Sequence, residues 1–448
     1  MSQHVDPSRI PELESIVAAA LDEARRSGAT QAEADASLSK GLSVTVRLGE
    51  VETVEYQRDR SLGITVYFGT RKGSASTADL SASSVRETVA KACAIARYTA
   101  EDDCAGLADP ELLASEFPDL QLDFPWDITP EAAVELAREC ESAGLAIDPR
   151  LNNSEGASVG SQRGVRVYGN SHGFLAGDCA SSHSLSCVLL AQVDEDMQRD
   201  YWYTSARDPR DLENAMQVGR IAGRRAVARL GARRLPTGRS AVLFAPEVAR
   251  GFLGHFIGAI RGGAQYRKAS FLLGAAGQAV FPAWVQMHER PFLPKAFASA
   301  AWDSEGVRTH DRELVHDGIV DGYLLGSYSA RKLGLRSTGN AGGLHNLLVD
   351  ASAGAGGQEQ LLRQMERGLL VTELMGQGVN GVTGDYSRGA TGFWVENGAI
   401  AYPAHEITIA GNLKDLYRNL VAIGDDVDLR GGVRTGSVLV EGFTIAGQ

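Results

Sequence analysis

At 448 residues, with 44% hydrophobic and 22% charged content, the chain can bury several cores without disulfide or metal staples, and its length predicts about three domains. A formal net charge of −12 argues against a general nucleic-acid binder, which needs a basic footprint. With no apolar run near the ~18 residues that span a membrane, and a start, Met1-Ser2-Gln3-His4-Val5-Asp6, unlike a signal peptide, the expected location is cytoplasmic and off the membrane.

In chain order, Pro11 opens a first helix carrying Leu13, Ile16, Val17, Ala20, Leu21 and Ala24 on one face, closed at Gly28. Val44, Val46 and Leu48 alternate, Gly49-Glu50 marks a turn and Val51 resumes; Leu62, Ile64, Val66 and Phe68 alternate again up to Gly69. A second helix begins near Ser83, where Ser84 and Glu87 have capping-box spacing. Pro110, Pro118, Pro125 and Pro130 punctuate an acidic linker, and Thr129-Pro130 starts a third helix. Strand-like stretches follow at 164–168 and 181–193, then a helix at 211–230 and a boundary at Leu235-Pro236-Thr237-Gly238. Beyond a strand at 241–244 and a helix at 248–260, strands dominate. Asp317-Gly318 and Asn397-Gly398 each sit between apolar pairs and predict two-residue hairpins. The expected fold is α+β: a helix–antiparallel sheet–helix domain over 1–125, a middle α+β domain over 126–235, and a strand-rich C-terminal domain over 236–448.

Several strings imitate catalytic motifs and lack the context that chemistry requires. Gly376-Gln377-Gly378-Val379-Asn380-Gly381 has GxGxxG spacing, but no helix follows to hold a pyrophosphate, so a turn is expected. Gly169-Asn170-Ser171-His172-Gly173 has GxSxG spacing, yet strand signals on both sides predict a hairpin rather than a nucleophile elbow. His288-Glu289 and His405-Glu406 each begin a zinc motif, but Phe292 and Ile409 stand where the second histidine belongs. The five cysteines show no CxxC spacing, and Cys93 and Cys140 fall in helical patterns as small core residues.

The helix at 248–260 is the most informative stretch. Val248, Phe252, Phe256 and Ile260 form its apolar stripe, with His255 beside it. One turn back, where a second ligand and a general base belong, stand Arg250 and Gly251. Neither can do either job.

The runs Leu62-Gly63-Ile64-Thr65-Val66-Tyr67-Phe68-Gly69, Tyr266-Arg267-Lys268-Ala269-Ser270-Phe271, Asp303-Ser304-Glu305-Gly306-Val307-Arg308-Thr309 and Ser337-Thr338-Gly339-Asn340-Ala341-Gly342-Gly343 resemble the TldD/PmbA family, in its PmbA (TldE) branch, over residues 10–448. That resemblance implies a cytosolic zinc-metallopeptidase system built as a TldD–TldE heterodimer that degrades or processes unfolded peptides. The TldD branch carries a helical HExxxH and a ligand cysteine near the C-terminus. Here Arg250, Gly251 and His255 fall on the two histidines and the glutamate between them, and no cysteine follows Cys187. The implied subunit is therefore non-catalytic, with no metal or other cofactor in this chain and zinc in a TldD-type partner. Self-association as a homodimer is the alternative assembly when that partner is missing.

For a surviving substrate groove the candidates are His255, Tyr266, Arg267, Asp303, Glu305, Arg331 and Asn340, polar residues of the matching segments. The competing reading makes Asp303, Glu305 and Arg331 structural ion pairs beneath loops. A second functional class, a regulatory binding protein acting on a DNA gyrase or antitoxin system without peptidase involvement, has one sequence feature behind it. Arg220, Arg224, Arg225, Arg229, Arg233, Arg234 and Arg239 crowd together, either as a partner-facing patch or as a face paired with acidic neighbours.

Overall fold

The computed structural model describes residues 5–447. Helix α1 (Ile10–Arg26) buries Leu13, Val17, Ala20 and Ala24. Strands β1 (Gln31–Arg47), β2 (Glu50–Phe68) and β3 (Arg71–Thr77) follow, then helix α2 (Ala82–Tyr98). The cap of α2 is Ser81 rather than Ser84: Ser81 has extended backbone and its hydroxyl accepts from the Ser84 N–H. Helix α3 (Pro130–Leu145), capped by Thr129, leads into β4 (Leu151–Asn170), β5 (Leu175–Val193), β6 (Asp196–Ala206) and helix α4 (Ala215–Ala228).

These six strands form one antiparallel sheet in the order β3-β2-β1-β4-β5-β6. Strands β1 and β4 pair from Glu33–Asn170 to Val46–Ala157, so the sheet crosses from the first expected segment into the second. Period-two alternation puts Ala32, Ala34, Ala36, Leu38, Leu42, Val44 and Val46 on one face of β1. Helices α1 and α2 cover the first part of that face, and α3 and α4 cover the second. The strands run much further than the short stretches expected at 44–51 and 62–68. The extra length escapes a hydrophobicity reading because every residue of β2 from Glu50 to Arg60 is exposed.

The C-terminal part holds β7 (Gly238–Phe244), α5 (Pro246–Ala259), α6 (Gly262–Tyr266), β8 (Met287–Glu289), β9 (Arg312–His316), β10 (Ile319–Val320), α7 (Ser327–Leu333) and β11 (Leu347–Val349). It continues with α8 (Gln358–Met365), β12 (Gly368–Met375), β13 (Asp385–Glu396), β14 (Ala399–Asn412), α9 (Leu413–Arg418), β15 (Leu420–Ile423), β16 (Val433–Arg434) and β17 (Val438–Ala446). A six-stranded sheet, β14-β13-β12-β7-β17-β15, closes on itself through an added β14–β17 pairing. Strands β10-β9-β8-β11-β16 form a second sheet. The architecture is the α+β class expected, strand-rich at its C-terminal end. Both hairpin dipeptides adopt positive φ at both residues. GxSxG is the β4–β5 hairpin, GxGxxG is a loop between β12 and β13, and His288-Glu289 and His405-Glu406 lie on strands. No helix among the described residues is long and apolar enough to cross a membrane.

The arginine cluster is divided. Arg225 pairs with Asp200 and Glu247, Arg229 with Asp200 and Glu373, and Arg234 with Glu406. Arg220, Arg224 and Arg239 are exposed. The acidic-neighbour reading holds for the three paired residues.

Candidate functional site

Helix α5 begins at Pro246, where proline's missing N–H costs nothing. Its apolar face is deeply set: Phe252 stacks on Phe244 at 5.0 Å and meets Tyr417 edge-on at 5.1 Å, while Phe256 meets Phe281 edge-on at 5.0 Å. The opposite face carries Gly251, His255 and Gly258, one helical row by spacing. A Cβ placed on either glycine would find nothing within 4 Å, so this face opens outward.

His255 is half-buried, and its ring meets Tyr386 edge-on at 5.9 Å. Its Nε2 is buried without a hydrogen-bond partner. Burial, and then the charge of Arg388, hold the imidazole below its usual pKa and favour the neutral ring. Arg250 turns elsewhere, donating to the Tyr203 hydroxyl at 2.7 Å and lying 3.9 Å from Asp428. Gly251 supplies no side chain at all.

A zinc hydrolase needs three fixed ligands and a base for the metal-bound water. Between 248 and 260, His255 is the only residue of a metal-ligating type. Among the described residues no group of three or more His, Cys, Asp or Glu side chains is arranged to hold an ion. The donor set around α5 does not fit zinc, and no hydrolytic step can be routed through it.

A second concentration of polar groups lines a cavity of about 1120 Å³ formed by β1, β2, the segment 99–108 and α7. Glu33 accepts from the Tyr168 hydroxyl at 2.8 Å and the Tyr67 hydroxyl at 3.2 Å. Burial raises its pKa, while the Tyr168 hydrogen bond works in the opposite direction. Glu305 is half-buried in the same wall and accepts from the Ser327 N–H at 2.8 Å. Asp102 accepts from Lys332 and Tyr328, which hold its carboxyl down to about 2.

The expected groove residues divide between these places, and His255 makes no hydrogen bond or ion pair with any of the others. Arg331 forms no ion pair with Asp303 or Glu305. Arg331 instead donates to the carbonyls of Gly106 and Leu107 and pairs with Asp109, fastening the segment beside the cavity. Asn340 is buried, donating to Glu289 at 2.7 Å and accepting from Arg312 at 2.8 Å. Tyr266 meets Tyr328 edge-on at 5.7 Å, and the exposed Arg267 donates to the Tyr266 hydroxyl. Glu33, Tyr67, Tyr168, Tyr386 and Arg388 escape the sequence reading. For Glu33 a signal exists: Ala32-Glu33-Ala34-Asp35-Ala36-Ser37-Leu38 is a strand with one apolar and one polar face.

Asp303 is 1% exposed and accepts backbone N–H groups from Glu305, Val307 and Ala341 at 2.8–3.0 Å. Burial, and secondarily the charge of Glu305, push its carboxyl up to about 7. A folded-state pKa above the unfolded value gives stabilisation that is complete below about pH 4 and lost as pH rises through about 7. Urea unfolding at pH 5 and pH 8 should show this decline in the parent. Asp303→Asn should flatten this component, so its cost, about 1–3 kcal/mol because an amide oxygen replaces only one of two acceptors, should be largest at pH 5 and shrink at pH 8.

Family models cover nearly all of this arrangement: the PmbA/TldA metallopeptidase domain 1 over residues 32–96, the central domain over 123–230, and the C-terminal domain over 237–447. The chain belongs to the PmbA/TldD metallopeptidase family, in its PmbA (TldE) branch. It is 52% identical over 438 residues to Metalloprotease PmbA of Escherichia coli O157:H7, covering 97% of this chain and 96% of that one. It is 50% identical to the Metalloprotease PmbA homolog of Haemophilus influenzae, covering 98% and 96%. A Bacteroides thetaiotaomicron crystal structure, described as a proposed modulator of DNA gyrase, superposes with a TM-score of 0.92 at 27% identity, covering 98% of this chain and all of that one. TldE from Thermococcus kodakarensis shares the fold with a TM-score of 0.85 at 19% identity, covering 96% and 100%.

Proposed function

We propose that this chain is the non-catalytic subunit of a two-chain zinc peptidase acting on unfolded peptides in the cytoplasm, with the metal and its HExxxH helix on a TldD-type partner. The observation that carries this reading is α5: Arg250 is committed to Tyr203, Gly251 has no side chain, and His255 stands alone. A partner also has somewhere to dock. The Glu50–Arg60 part of β2 lies beyond the reach of β3, with Val51, Val54 and Tyr56 exposed, and such an edge is what a second chain covers. Self-association of this chain would use the same edge.

The test is cleavage of an unfolded casein by this chain alone, by a TldD-type chain alone, and by the two mixed. Hydrolysis requiring both chains is expected. Cleavage by this chain alone, or full activity of the partner without it, overturns the proposal. The gyrase-regulator reading draws on the name of the Bacteroides relative and on the arginine cluster. Pairing of Arg225, Arg229 and Arg234 with carboxylates removes much of that second support.

A further inference from the structure

Strand β13 presents Tyr386, Arg388 and Ala390 on one face, and Tyr386 on that face packs against Phe252 and His255 of α5. Tyr386 is 1% exposed, yet its hydroxyl has no hydrogen-bond partner. The Arg388 side chain has no ion pair or hydrogen bond among the described residues, and its Nε is buried. Nε2 of His255 is a third buried polar atom without a partner. The three groups adjoin: Tyr386 and Arg388 stand two residues apart on one face of the strand, and the Tyr386 ring meets the His255 ring. A second unpaired guanidinium, Arg434, sits on β16, which packs against α5.

Buried polar atoms without partners are rare, and three together, one of them on an unpaired cation, call for one acceptor with negative charge. A guanidinium fork matches a carboxylate in plane and spacing, with a tyrosine hydroxyl and a neutral imidazole N–H as further donors. The outward-facing row at Gly251 and Gly258 leaves room for an extended chain to approach.

We infer that the α5–β13 junction of this chain is a carboxylate-binding site, built from Arg388, Tyr386 and His255, that takes a peptide's C-terminal carboxylate or an acidic side chain. Of the three positions that align with the zinc helix of the TldD branch, His255 alone would contribute to this site. Binding is a property of this chain alone and does not rest on the two-chain peptidase reading.

Calorimetric titration of the purified chain with acetyl-Ala-Ala-Ala and with its C-terminal amide tests it. The free acid should bind about tenfold more tightly than the amide or better. Arg388→Gln should abolish the difference, and Tyr386→Phe, which removes one oxygen atom, should reduce it several-fold without changing the melting temperature. A third probe, acetyl-Ala-Glu-Ala amide, separates the sources: binding like the free acid assigns the site to any carboxylate, and weak binding assigns it to chain ends. Equal binding of acid and amide, no detectable binding of any probe, or an unchanged acid preference in both variants would overturn the site.

Discussion

Replacing Arg229 by methionine should destabilise the protein by about 3–5 kcal/mol, the usual result of removing one partner from a buried ion pair. Its side chain is 5% exposed, with Nε 2.6 Å from Asp200 and Nη1 2.7 Å from Glu373. Asp200, 2% exposed, would keep Arg225 at 3.2 Å and the Tyr201 N–H at 2.7 Å, and Glu373 the surface-reaching Arg199 at 3.4 Å. Methionine restores most of the volume and none of the charge, so the loss reports the uncompensated carboxylates rather than a cavity. Because the pair ties α4 and β6 to β12, the urea transition should also broaden or split as the two parts unfold separately. A loss below about 1 kcal/mol would show that water or neighbouring arginines already satisfy these carboxylates.

Gly219→Leu should be comparably damaging for a steric reason. Helices α3 and α4 cross at Gly144, Gly219 and Gly223, and a Cβ on Gly219 would overlap the Cys140 carbonyl oxygen. The backbone atom cannot rotate away, so the helices must separate and open the core formed by Ala137, Cys140, Val218 and Ala222. Overpacking of this kind costs about 1–3 kcal/mol and more when backbone must move. Gly251 provides the opposite sign. It lies inside a helix and faces open space, so Gly251→Ala should stabilise by up to about 1 kcal/mol through helix propensity. Parallel melting curves of the two variants separate a glycine required by packing from one whose side chain is simply absent.

The parts legible in the sequence were those governed by local rules. The apolar stripes of α1 and α5, the Thr129-Pro130 start of α3 and the hairpins at Asp317-Gly318 and Asn397-Gly398 all depend on residues within one or two turns. The long hairpin of β1 and β2 was only partly visible, since its exposed half has no buried face to impose alternation. Strand β6 was invisible for a related reason: Asp196-Met197-Gln198-Arg199-Asp200 reads as a polar turn, and its buried aspartate is explained by arginines from α4. In the site, His255 could be placed on its helix face from spacing alone. Tyr386 and Arg388 could not, because about 130 residues separate them from His255 and only the pairing of β12, β13 and β14 brings them beside α5. The same holds for Glu33, whose tyrosine partners come from β2 and β4.

On the proposed reading, this chain does not carry the metal of its family's chemistry. Equilibrium dialysis of the purified chain against micromolar zinc, followed by elemental analysis of protein and dialysate, tests it most directly. Well under one equivalent of retained zinc is expected, unchanged by His255→Ala. One equivalent retained by the parent and lost in His255→Ala would place a functioning metal site on α5 and contradict it.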